Sequence, residues 1–71
     1  MTFEEKVTQL NQSTVDQIYN QYDNAMETEH GSGEHWILIA TLNQHGFPVR
    51  SVTDALSTAE RILTLWHTLQ K

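Results

Sequence analysis

A helical stripe near the C-terminus constrains this chain more than any other feature. Val49, Val52, Leu56, Ala59, Leu63 and Trp66 step by three and four residues, and Ala55, Ile62 and Leu69 fall on the same side. On a wheel of 100° per residue these positions cover an arc of about 160°, broad enough that it must be buried. Arg50, Thr53, Asp54, Thr58, Glu60, Arg61, Thr64 and His67 are mostly opposite. Pro48 suits a first helical turn. Ser51 with Asp54 makes an alternative N-cap, and Ser57 with Glu60 marks a further cap and a point where the helix could break.

The N-terminal third carries a second stripe. Phe3, Val7, Leu10, Thr14, Ile18, Tyr22 and Ala25 recur at helical spacing, and Val15, Tyr19 and Met26 widen the face. Thr2 with Glu5 matches a capping box. The weak helix formers Asn11-Gln12-Ser13-Thr14, with Ser13 and Asp16 as a second cap, predict an interruption there. The helix is expected to end by His30, before Gly31-Ser32-Gly33.

Between the stripes, Trp36 to Leu42 is apolar on every side of a wheel, which fits either a buried helix or a buried strand. The strand would use Ile37, Ile39 and Thr41 and pair with Phe47 to Val52, where Pro48 confines it to an edge. The helix would use Ser32 as a cap, His45 in the last turn, Gly46 at the C′ position and Pro48 just beyond. The helix is favoured. The expected fold is an all-α bundle of three to four helices over residues 1–71 as a single domain. The alternative is α+β, with a central two-stranded hairpin covered by N- and C-terminal helices.

A chain of 71 residues buries only about 60% of the surface its unfolded form exposes. With no Cys, neither a disulfide nor a thiolate metal cage can staple the core. A homodimer or a tight partner is therefore expected. No segment approaches the roughly 20 apolar residues that span a bilayer, and "MTFEEKVTQL" lacks the apolar region of a signal peptide. Cytoplasmic location is the expectation.

The net charge of −5 is unevenly distributed. Glu4, Glu5, Asp54 and Glu60 balance Lys6, Arg50, Arg61 and Lys71, so the whole excess lies between residues 7 and 49. That stretch holds Asp16, Asp23, Glu27, Glu29 and Glu34 and no Lys or Arg. Binding to nucleic acid rests on basic residues neutralising phosphates, and four scattered ones serve it poorly. An acidic face steers toward basic partners.

"EHGSGEHW" (29–36) raises a metal site at Glu29, His30, Glu34 and His35, with His45 beyond. Zinc needs three or four such ligands converging at about 2 Å. His30 and His35 are five apart across a bend, His35 and His45 would point about 80° apart on a helix, and no H-E-x-x-H is present. A solvated loop between helix ends explains the motif, so no metal or cofactor is expected. The four histidines could titrate against the acids near pH 6.5, as exposed histidines do in any protein. No G-x-S-x-G, phosphate loop or Cys supports an enzyme.

"IATLNQHGFPVRSVTDAL" has the outline of a helix-turn-helix, but its second helix offers only Arg50, Ser51, Thr53 and Asp54 to DNA. Residues 39–69 also resemble the ubiquitin-associated (UBA) domain pattern. Ile39-x-x-Leu42-x-x-His45-Gly46-Phe47-Pro48 is similar to its first helix and loop, and Val52, Ala55-Leu56, Ile62, Leu65 and Leu69 fall near later core positions. The chain departs from it at His45, where the family usually has Met, and lacks the Asn- or Gly-bearing loop before the third helix. The resemblance implies a compact helical unit with Gly46 and Phe47 as a binding loop for a ubiquitin-type partner. Trp36 and Trp66 are expected in the core or a dimer seam.

The function expected from all this is a non-catalytic protein–protein interaction protein. It would be a small acidic regulator or inhibitor of the kind associated with phages and mobile elements. Asp16, Asp23, Glu27, Glu29 and Glu34 would dock on a basic surface of a larger partner. On a helix, Asp16, Asp23 and Glu27 fall within about 100° of one another. A helix-turn-helix DNA-binding regulator is the alternative, and a UBA-like module a further one.

Overall fold

A computed structural model describes residues 2–28 and 33–69 as four helices: α1 (Phe3–Thr8), α2 (Gln12–Glu27), α3 (Gly33–Gln44) and α4 (Val52–Leu69). The all-α expectation holds. Among the described residues there is no strand, so the α+β alternative with a central hairpin is not supported. Residues 36–42 are helical because Ile39 and Thr41 belong to a buried set, with His35, Leu38 and Leu42, that faces one side of α3.

Capping chemistry sets the boundaries. Thr2 Oγ1 accepts the Glu5 amide at 3.1 Å, the first half of the expected capping box. The hydroxyl itself turns to the Glu5 carboxylate at 3.2 Å. The N-terminal interruption falls at Gln9–Asn11, slightly before the expected Ser13–Asp16 cap. Asn11 is the true N-cap of α2, its side chain accepting from the Thr14 amide at 2.7 Å. Asn caps as well as Ser does, so the first cap the chain reached was taken. Ser51 Oγ accepts from the Asp54 amide at 3.1 Å and starts α4. Pro48 and Val49 thus lie outside the helix, against the first-turn placement, and α4 runs through Ser57 without a break. α2 ends at Glu27 with Thr28 as C-cap, before His30 as expected; the expected Ser32 cap lies outside the described residues.

α3 ends in a Schellman reversal. Gly46 takes φ +87°, the left-handed conformation that glycine adopts at C′. Its amide donates to Asn43 O at 3.2 Å and the Phe47 amide to Leu42 O at 2.8 Å. Leu42 and Phe47 both enter the core, the apolar contact that accompanies this motif. Asn43 then fixes the departing chain. Its Oδ1 accepts from the Val49 amide at 3.1 Å, and its Nδ2 donates to Val49 O at 3.3 Å and Ile39 O at 3.0 Å.

The core joins Val7, Ile18, Ala25, Leu38, Ile39, Leu42, Phe47, Val49, Ala55, Ala59 and Ile62, one cluster drawn from every helix and the 45–51 loop. α2 packs on both α3 and α4, while α1 packs only on α4. Phe3 meets Phe47 edge-on at 5.5 Å, and Arg61 stacks over the Phe3 ring at 4.3 Å. Tyr19 and Met26, placed in the buried face by spacing, are instead exposed, and so is Leu69 at the end of α4.

Asn43→Ala removes both partners of the buried Val49 backbone and is expected to cost about 1–3 kcal/mol. Gly46→Ala would meet no atom within 4 Å of its new Cβ, so its loss, about 1–2 kcal/mol, comes from the left-handed backbone alone. Urea unfolding of the two variants checks both figures.

Candidate functional site

Asp16, Asp23 and Glu27 are spaced seven and four residues apart on α2, which puts them within about 40° of one another. The buried residues of α2 are Val15, Ile18 and Ala25, and the acids lie across the helix from Ile18 and Ala25. All three are exposed, and no Lys or Arg occurs from Gln12 to Glu27. The line they form is about 16 Å long at 1.5 Å per residue. Asp16 accepts from Gln12 Nε2 at 2.8 Å, an interaction with a neutral amide within one turn.

Asp16 supports its helix through that i, i+4 bond, but Asp23 and Glu27 do not. The last turn of α2 holds no basic residue, and Glu27 sits where the dipole disfavours negative charge by about 0.3–1 kcal/mol. Asp23 and Glu27 are a like-charged pair at i, i+4, unfavourable by a few tenths of a kcal/mol.

The Asp16 end of the stripe borders a groove of about 560 Å³ between α2 and α4, lined by Gln12, Val15, Asp16, Tyr19, Leu63, Trp66 and His67. Tyr19 is 57% exposed, and Trp66 packs its inner edge on the core. Carboxylate and aromatic faces therefore share one concavity. The spacing places Tyr19 on the buried face and Trp66 in the core or a dimer seam. The signal it missed is angular: Tyr19 lies only about 60° from Asp16 on the wheel, nearer the acids than the centre of the buried face.

The other expected site residues separate. Glu34 stands in the first turn of α3, partly buried, where the helix dipole favours it. It is on a different element from the stripe. Glu29 and His30 lie outside the described residues. His35 is buried at 1% exposure, and His45 follows the end of α3, about 15 Å further along at 1.5 Å per residue. Those two cannot share a metal ion, and among the described residues no group of three His, Cys, Asp or Glu converges. Phe47 is 3% exposed. Of the binding loop implied by the ubiquitin-associated resemblance, Phe47 is thus a core side chain and Gly46 is exposed, and the unbroken α4 leaves no third helix within 39–69. Residues 45–51 separate α3 from α4, longer than the roughly 3–4-residue turn of a helix-turn-helix.

No protein-family model, curated protein or solved structure matches this chain. No helix among the described residues is long and apolar enough to cross a membrane.

Neutralising the stripe tests whether it is structural. The triple variant Asp16→Asn, Asp23→Asn, Glu27→Gln is expected to unfold at the same urea concentration as the wild type or slightly higher, because repulsion is relieved and no ion pair is lost. A loss above about 1 kcal/mol would instead assign these acids to the fold.

Proposed function

We propose that this protein is a non-catalytic interaction protein, a small acidic regulator or inhibitor that docks on a basic surface of a larger protein through the outer side of α2. One observation carries the proposal. Asp16, Asp23 and Glu27 form an exposed line on a helix without a single basic residue, and Asp23 and Glu27 stand in positions unfavourable to that helix. Charges kept against their own helix are explained by something outside it.

The adjoining groove supports the same partner class. Lys and Arg side chains carry an apolar stem and a cationic head. Tyr19 and Trp66 offer faces for the stem and for cation–π contact, and Asp16 offers a carboxylate for the head. Aromatic residues at the centre of such a contact supply most of its affinity, while rim charges set its rate and salt dependence. The 45–51 connection and the shortage of outward cations on α4 disfavour DNA as the partner.

Affinity capture from the native host, with wild-type protein and the Asp16→Lys/Asp23→Lys/Glu27→Lys variant side by side, tests the proposal. A basic protein should be retained by the wild type, released by raising salt, and absent from the charge-reversed sample, with both baits equally helical by circular dichroism. Capture that survives charge reversal refutes it.

A further inference from the structure

The centre of α3, Trp36 to Leu42, is apolar on every side, yet it is covered on one side only. His35, Leu38, Ile39, Thr41 and Leu42 face the bundle. Trp36 and Ile37 face away, 58% and 49% exposed, with exposed Ala40 one turn further on. A helix that is hydrophobic all round is normally buried all round. We infer that this outward face, centred on Ala40 and flanked by Trp36 and Ile37, is the seam of a homodimer in which α3 of one copy packs antiparallel on α3 of another.

Charge identifies the occupant as a second copy. From His35 to Val49 the chain has no Asp, Glu, Lys or Arg. A basic protein surface finds no carboxylate on the outer face of α3. A nucleic acid finds no cation there. Two copies of a chain with net charge −5 repel through most orientations, and an uncharged face lets them touch without opposing like charges.

Geometry fits a two-fold axis. Trp36, Ala40 and Gln44 form an i±4 ridge, and Ile37, Ala40 and Asn43 an i±3 ridge. The ridges cross at Ala40, the smallest side chain on the face, where two helix axes can approach to about 8 Å. A two-fold through this point makes the contact isologous, with Trp36 of each copy over Gln44 of the other. Trp36, Ile37 and Ala40 supply on the order of 250 Å² of apolar surface per copy, less than the roughly 800 Å² per partner of a standard interface. They form an apolar centre with a polar rim, and the dimer is accordingly weak. A Cys-free chain of this length is the kind that gains from such association. The seam is separate from the α2 stripe and stands or falls without it.

Sedimentation velocity from about 1 µM to about 1 mM covers the range of weak association. The wild type should pass from monomer to dimer. Ala40→Glu and Ala40→Lys should each raise Kd by tenfold or more with helicity and Tm of the monomer retained, since Ala40 is exposed. Mixing the two variants should restore a heterodimer, which a misfolded variant could not do. In a chain with no other Cys, Ala40→Cys should give a disulfide-linked dimer under mild oxidation, because the axis brings the two thiols together. A wild type that stays monomeric throughout overturns the inference. So does a dimer indifferent to both charges at Ala40, because it would use another face.

Discussion

The reversal after α3 is the constraint on which the rest of the structure depends. Gly46 turns the chain through a left-handed residue, the Phe47 amide closes on Leu42 O, and the Asn43 amide group grips both polar groups of Val49. Within a few residues the chain leaves one helix, drops two apolar side chains into the core and aims the next helix back across the bundle. Phe47 is then the anvil for the N-terminus: Phe3 meets it edge-on, and Lys6 Nζ donates to Gly46 O at 2.8 Å. A corner built from local hydrogen bonds thus decides where distant elements meet, at small entropic cost because its partners are neighbours in sequence.

Packing and charge are segregated in this protein. The core is assembled from aliphatic residues and Phe47, while the carboxylates of α2 stand outside it on a line that no guanidinium or ammonium group of the same helix relieves. The positive side chains do structural work elsewhere, Lys6 at the corner and Arg61 over Phe3. The negative potential is left unspent on one flank, and α3 presents a neutral flank. Two surfaces of such different character suit two different kinds of contact.

Much of this was legible in the residues. The two stripes, the cap at Thr2, the cap at Ser51, Gly46 at C′ and the helical nature of Trp36 to Leu42 follow from spacing and capping chemistry. What failed was sidedness at the edges of each stripe. Tyr19 and Met26 sit at the margin of the buried arc of α2, and only the position of α4 decides that they stay in solvent. Trp36 was ambiguous because α3 has no polar side to reveal which way it faces. The interruption near Asn11 was misplaced because Asn and Ser are equally good caps. The acidic stripe itself was readable, since positions 16, 23 and 27 coincide on any helix. Its aromatic border was not, because Trp66 comes from a helix far along the chain.

α1 is the exception to an otherwise continuous helical assembly. It spans six residues, far below the roughly 12–15 needed for an isolated helix to persist in water. Its packing is confined to α4 and the Phe47 corner. Its helicity is therefore borrowed from what it packs on, with Val7 seated in the shared core. Opening α1 would bare one side of Phe47 and free Arg61 from its ring, so the ordering of the first turns reports on the integrity of a bend some forty residues away.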